Sequence, residues 1–274
     1  MLILIFVGGY TLFKWDAMDY REHSSAQNKW AKELINKFKL HGDEKIIDIG
    51  CGDGRVTSEI SSHVKHGSVL GIDNSKEMIE LATKTFPKED YPNLSFQIKD
   101  VMELDYIEEF DWVFSNAMLH WVKDHLTILK QIQRSLKPGG RILIQMGGYG
   151  NAHEILQTAD DLMKNEKWNS YYKDFKFPYS FYKPDAYQNW LKKANLEPLR
   201  VELIPKVMTQ NGLNGLKSWI RTTWLPYTQR LPDELKEDFI NELVLKYIND
   251  HPLNEDGLVV IDMKRLEVEA LKPY

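Results

Sequence analysis

Residues 46–57, IIDIGCGDGRVT, place Gly50, Gly52 and Gly54 at alternate positions behind a β-branched run and ahead of a helix-forming one. Glycine admits positive φ and lets a ligand come into contact with the chain itself. Nineteen residues beyond Gly54, closing the apolar run of VLGIDNS, stands Asp73. A carboxylate in that place accepts both hydroxyls of a ribose, so a nucleoside is the implied ligand. A dinucleotide fingerprint needs a third glycine three residues after the second, and Arg55 stands there. The spacing therefore favours a nucleoside without a pyrophosphate and disfavours hydride transfer. Cys51, the single cysteine, excludes an internal disulfide or a multi-cysteine zinc site, and nothing around it suggests a nucleophile. No metal is expected.

A strand must end where each of these residues begins its work. Lys45–Ile49 and Ser68–Asp73 read as strands, as do residues 94–99, 110–115 and 141–146. Helical spacing covers residues 19–39, with Trp30, Leu34, Ile35 and Phe38 on one stripe, and residues 56–64, 75–86 and 124–136. Pro138, Gly139 and Gly140 stop the last of these helices. Strands alternating with helices make βαβ units, and right-handed crossovers give a parallel sheet covered on both faces.

After residue 147 the alternation stops. Residues 168–190 hold ten aromatic side chains. Pro184 opens a helix to about Asn195, residues 199–204 form a sixth strand, and helices follow over 212–224 and 233–248. Residues 257–263 and then RLEVEA, where Leu266, Val268 and Ala270 alternate with charges, read as a half-exposed strand. The organisation expected is an apolar extension over 1–17, a cofactor-binding core over 18–147, cap insertions over 148–198 and 205–256, and strands over 199–204 and 257–274 that complete the sheet. The fold class is thus α/β: a doubly wound, seven-stranded, mostly parallel sheet with a helical cap from C-terminal insertions.

Composition narrows the functional classes. With 43% hydrophobic residues the chain of 274 builds a sizeable core, and 35 basic against 40 acidic residues leave a net charge of −5. That balance offers no footprint for a nucleic-acid backbone. The apolar start, MLILIFVGGY, is far shorter than the ~20 residues that span a bilayer and lacks the flanks of a signal peptide. Two readings of it stay open: a start codon at Met18, or a short element packed on the body. A cytoplasmic monomer or weak dimer acting on a small molecule, away from membranes, is expected.

Taken in order, these motifs resemble a class I S-adenosylmethionine-dependent methyltransferase with its Rossmann-like fold, over residues 20–146. WDAMDY, SNAMLHWVKDH, MTQNGLNGLKSWIRTTWLPY, LPDELKEDFINELVLKYI and RLEVEA make the chain most similar to the trans-aconitate 2-methyltransferase group. The resemblance implies S-adenosyl-L-methionine as cofactor. It implies that Gly50, Cys51 and Gly52 pass under the methionyl and ribose part, and that Asp73 holds the ribose. Asn74 and Met78 would border the adenine, Asp100 would face its amino group with Val101 offering a backbone N–H, and Asn116 and Ala117 would contact the methionine end. Tyr20 would lie over the cofactor. Structural alternatives accompany several of these: Asp73 and Asp100 as helix caps, Met78 as core, Asp48 as frame.

Methyl transfer from a sulfonium is an in-line displacement, so alignment and desolvation are its main demands. A carboxylate acceptor needs no base. A hydroxyl, amine or thiol would gain from one, and His120 is the candidate. Trp15, Tyr20, His120, Trp121, Tyr149, Trp219 and Arg221 are the candidate substrate-binding residues, with Arg221, then Arg230, as partners of an acidic acceptor. The aromatic stretch equally suits an apolar acid, as in the insect juvenile hormone acid methyltransferases. A carrier-bound malonyl group, suggested by YREHSSAQ, and a non-catalytic cofactor-binding module are the remaining readings.

Overall fold

Lys45–Ile49 (β1) buries Ile46, Ile47 and Ile49 on both of its faces, the pattern of a central strand in a parallel sheet. Around it the computed structural model sets Ser68–Asp73 (β2), Leu94–Ile98 (β3), Phe110–Asn116 (β4), Leu136–Gly147 (β5), Glu197–Asn211 (β6) and Leu258–Leu271 (β7). The spatial order is β3-β2-β1-β4-β5-β7-β6. β1 runs parallel to β2 and β4, with Ile46 beside Val69 and Trp112, and β2–β3 and β4–β5 are also parallel. β7 is antiparallel to β5, Ile144 facing Val268. The seven-stranded, mostly parallel sheet expected from the alternation is therefore present. Its strand order reverses between β1 and β4, and ligands of open α/β sheets bind in the crevice that opens there, beyond the carboxyl ends of the strands.

The structure describes residues 25–274 and, ahead of them, Phe6–Val7 and Tyr10–Thr11, which pair as an antiparallel ladder. Trp15 and Tyr20 lie outside the described residues, as does the rest of the extension expected over 1–17. The helices are Ser25–Ile35 (α1), Arg55–His63 (α2), Lys76–Thr85 (α3), His125–Ser135 (α4), His153–Met163 (α5), Pro184–Lys193 (α6), Gly212–Thr223 (α7), Leu225–Thr228 (α8) and Asp233–Asp250 (α9). Their starts have visible causes. Ser75 accepts from the Met78 N–H at the head of α3, Asp124 accepts from the Thr127 N–H at the head of α4, and Pro184 opens α6. Among the described residues no helix is long and apolar enough to cross a membrane.

The chain divides into two units. The first, Ser24–His153, Phe177–Met208 and Asp262–Tyr274, holds most of the sheet and a core in which Leu34 and Ile35 of α1 and Ile60 of α2 meet Ile46, Val69, Trp112 and Leu143. The second gathers Glu154–Lys176 and Thr209–Ile261 around aromatic side chains. There Trp168 lies edge-on to Phe239 at 5.2 Å and donates through Nε1 to Glu242, while the Tyr172 hydroxyl donates to the Tyr227 carbonyl. Three sequence expectations change. Helix α5 was not anticipated, residues 177–198 group with the sheet rather than with a cap, and Leu258–Leu271 is one continuous strand.

That strand also corrects the half-exposed reading of RLEVEA. β7 lies between β5 and β6, so both of its edges are paired, and the consecutive residues Arg265, Leu266, Glu267 and Val268 are all buried, Arg265 and Glu267 at 4% and 1% exposure, so both faces are covered there. Glu267 accepts from Lys37, from Arg200 at 2.6 Å and from Gln145 at 2.9 Å, which holds its carboxyl below the usual glutamate range against the cost of burial.

Candidate active site

The loop from β1 into α2 turns on three glycines in the left-handed region, Gly50, Gly52 and Gly54. Two of them explain themselves. A Cβ on Gly50 would stand 2.2 Å from Cγ of Met118, so only glycine lets the loop pass beneath that side chain. Among the described residues, nothing comes within 4 Å of the place a Cβ would take on Gly52, at φ 54°. The open space above Gly52 is the cradle a ligand edge would fill.

Asp73, ending β2, ties this loop to its neighbour. Its Oδ2 accepts from the Gly52 N–H at 3.0 Å and its Oδ1 from the Ser75 N–H at 2.9 Å. Burial raises its carboxyl above the ordinary value, those backbone N–H groups oppose the rise, and the charge of Asp100 adds to it. Ser75, not Asp73, is the side chain that caps α3. Asp100 does cap a turn, accepting from the Met102 N–H at 2.8 Å at the head of the short helix Val101–Glu103. Val101 is buried, Asn74 is exposed, and Met78 is buried on the first turn of α3.

Beneath the loop, Asp48 is buried and accepts from the Thr57 hydroxyl at 2.7 Å. Desolvation pushes its carboxyl up to about 7. The Cys51 thiol is buried and pushed up by the same effect and by the neighbouring carboxylates, so it stays a thiol, inert as a nucleophile. Among the described residues no group of histidine, cysteine and carboxylate side chains is placed to hold a metal.

Across the crevice, β4 ends in Asn116, and Ala117 follows at φ 59°, its N–H donating to the Gln145 carbonyl at 2.8 Å. A non-glycine residue in the left-handed region carries strain of the kind that collects at functional sites. The turn delivers the short helix Leu119–Trp121. There His120 receives the Gly147 N–H at Nδ1, 3.4 Å away, which leaves the ring proton on Nε2. Burial, with Arg265 and His125 nearby, holds the ring far below its ordinary pKa, so it is neutral.

A strap over residues 177–182 walls this end of the site. Lys123 donates to the carbonyls of Phe177 and Tyr179, the Tyr182 hydroxyl donates to the Lys123 carbonyl, and the Ser180 N–H donates to the His120 carbonyl at 2.7 Å. Tyr179 and Phe181 are thereby set 5.9 and 6.0 Å from the His120 ring, with Trp121 at 5.7 Å. No strap residue was singled out in sequence; the density of aromatic residues was its only signal, read as a stretch suited to an apolar acid.

The remaining candidates have other surroundings. Tyr149 is exposed with Lys183 over its ring. In the helical unit, Trp219 is buried edge-on to Trp224, and Arg221 is held by both oxygens of Glu237 at 2.7 Å. Arg230 donates to the Tyr171 carbonyl. The guanidinium expected to meet an acidic acceptor, Arg221, thus already carries a carboxylate. Arg265 was not singled out at all. It lies opposite Gly147 on β7, its guanidinium over the Trp30 ring at 5.4 Å.

The comparisons with known proteins bear on family and fold. A family model described as "Methyltransferase domain" matches residues 40–195. An uncharacterized methyltransferase of Schizosaccharomyces pombe is 28% identical, covering 94% of this chain and 98% of its own. A trans-aconitate 2-methyltransferase of Methylobacterium nodulans is 26% identical, with 93% and 97% covered. Among solved structures, the YcgJ protein of Bacillus subtilis superposes with a TM-score of 0.62 at 18% identity, covering 90% of this chain and 99% of that one.

Proposed function

Because the chain belongs to the methyltransferase-domain family and is an S-adenosylmethionine-dependent methyltransferase, we propose that its acceptor is a small acid methylated on a carboxylate oxygen. When bound, the cofactor supplies a methyl group on a positively charged sulfur. An acceptor carboxylate would take that methyl group on oxygen, the new O–C bond replacing the C–S bond, whose electron pair would stay on sulfur. One negative and one positive charge disappear together, no proton moves, and exclusion of water favours the step.

The carrying observation is His120. Its Nδ1 lone pair is directed at the Gly147 N–H and its ring is held neutral with a strongly lowered pKa, which makes it a poor proton acceptor. A hydroxyl or amine acceptor would want a neutral ring with a lone pair turned to it and a pKa nearer the working pH. Similarity to trans-aconitate 2-methyltransferases over nearly the whole chain supports the same acceptor class. The rings of Trp121, Tyr179 and Phe181 beside His120 favour an apolar acid as the second reading.

For the cofactor, Gly52 offers backbone and open space to the ribose and methionyl edge. Asp73 takes the ribose hydroxyls, and Asp100 with the Val101 N–H takes the adenine edge, bordered by Asn74 and Met78. Asn116 and Ala117 receive the methionine end beside Gly50 and Cys51. The protein is read as a cytoplasmic monomer or weak dimer with a small-molecule substrate. A screen of small acids, alcohols and amines with methyl-labelled cofactor, with products identified by mass, tests the proposal: methyl esters are expected, and labelled ethers or methylamines alone would overturn it.

A further inference from the structure

The crevice between β1 and β4 is bounded by two strand ends that bond away from each other. On the β1 side, the Gly50 and Cys51 N–H groups both donate to the Ile72 carbonyl of β2, at 2.8 and 3.0 Å, and the Gly52 N–H goes to Asp73. On the β4 side, Asn116 pairs with Gln145 of β5, and the Ala117 N–H donates to the Gln145 carbonyl. The backbone register between β1 and β4 themselves runs from Ile46–Trp112 to Asp48–Phe114. One step beyond that last pair, the Ser115 hydroxyl donates to the Ile49 carbonyl at 2.8 Å. Ser115 is fully buried, so water does not compete for this bond.

A side-chain hydroxyl thus continues the pairing of β1 with β4 where the two strands begin to part. Ile49 directly precedes Gly50, and Ser115 directly precedes Asn116. The candidate ribose contacts, Gly52 and Asp73, lie on one side of this tie, and the candidate methionine contacts, Asn116 and Ala117, lie on the other. A ligand held at both ends therefore spans the opening. With the tie in place the separation of the two edges is set before binding. Without it, a spanning ligand has to order them itself, whereas a ligand that touches one edge does not. In-line transfer is sensitive to the same placement. We propose that Ser115 is a positioning residue that sets the width of this crevice, and with it the fit of a cofactor that spans from β2 to β4.

This inference rests on the cofactor placement proposed above, and a pair of ligands separates the two. S-adenosylhomocysteine carries the nucleoside and the amino-acid end, whereas 5′-methylthioadenosine keeps the nucleoside and sulfur and lacks the amino-acid end. By calorimetric titration the wild-type protein is expected to bind the first at least about tenfold more tightly, through charge-assisted hydrogen bonds to that end. In Ser115→Ala this advantage should shrink about five- to tenfold, the scale of one hydrogen bond, while affinity for 5′-methylthioadenosine stays within about twofold. Ser115→Cys, close in size and a weak donor, should fall between the two proteins. Binding of 5′-methylthioadenosine certifies that each variant is folded. An unchanged ratio in Ser115→Ala, or an equal loss on both ligands, would overturn the role of Ser115 and leave the cofactor placement intact. Equal affinity of the wild-type protein for the two ligands would instead remove the placement, and the inference with it. Should Ser115→Ala not fold, Ser115→Cys decides by the same ratio.

Discussion

The Gly52 N–H donates to Oδ2 of Asp73 across 3.0 Å, so the glycine loop after β1 and the end of β2 behave as one piece. The carboxylate proposed to hold the ribose also fixes the backbone of the loop proposed to carry the cofactor. Asp73→Ala should consequently weaken S-adenosylhomocysteine binding by about 2–4 kcal/mol, the cost of leaving partners on two sides unsatisfied. Calorimetric titration reads this directly, and an unchanged affinity would remove Asp73 from the site.

Gly50 and Gly52 should separate stability from binding. Gly50→Ala drives a methyl group into Met118 and should lower the melting temperature sharply. Gly52→Ala has room for its methyl group and should cost only about 1–2 kcal/mol of backbone strain. That methyl group nevertheless fills the space left for the ligand, so cofactor affinity should fall at least tenfold while the fold persists. Thermal melts run with and without S-adenosylhomocysteine check both halves.

Two buried groups give opposing dependences of stability on pH. Asp48 is pushed up to about 7, so between its ordinary value and about 7 the folded chain keeps a proton the unfolded chain has lost. Rising pH through that window costs stability, up to about 4 kcal/mol. His125 is pushed down to about 4 by burial; its Nε2 donates to the Val122 carbonyl and its Nδ1 accepts from the Tyr187 hydroxyl at 2.8 Å. Its contribution is present above about 6.5 and is lost as pH falls towards 4, up to about 3 kcal/mol. Between pH 4 and 6.5 the two slopes nearly cancel. Relative to wild type in urea titrations, Asp48→Asn should gain stability as pH rises, and His125→Phe should lose it; parallel curves for all three proteins would refute both assignments.

His120 should behave as a donor. With an acid acceptor, His120→Ala should keep kcat/KM within about tenfold and His120→Gln should lose less, because no proton is removed from the acceptor. The pH–rate profile should show no limb in the range of an ordinary histidine. A loss of a thousandfold with cofactor affinity intact would mean that a base is needed.

The placing of the candidate cofactor residues at adjacent strand ends was legible because its signals are local: a glycine loop behind a strand and an acid at the end of the next. Gly50, Gly52, Asp73 and Asp100 fall on one edge of the sheet for the reason their spacing implied. The surroundings of His120 were not, because their residues come from distant stretches and their patterns are ambiguous. Alternating charges in RLEVEA read as a solvated face, yet β7 is an inner strand whose Glu267 finds Lys37 and Arg200 from elsewhere in the chain. The aromatic run divides between two tasks, Trp168 and Tyr172 filling the helical unit and Tyr179 and Phe181 flanking His120. Helix α5 could have been read from Ile155, Ala159 and Leu162, a buried stripe at helical spacing.

The acceptor chemistry is tested most directly by the fate of the transferred methyl group. Product made with methyl-labelled S-adenosylmethionine and a small acid, purified and held in mild alkali, should release its label as methanol and regenerate the free acid. Label that stays on the product after alkaline treatment would place it on an alcohol, amine or carbon, and would contradict carboxylate methylation.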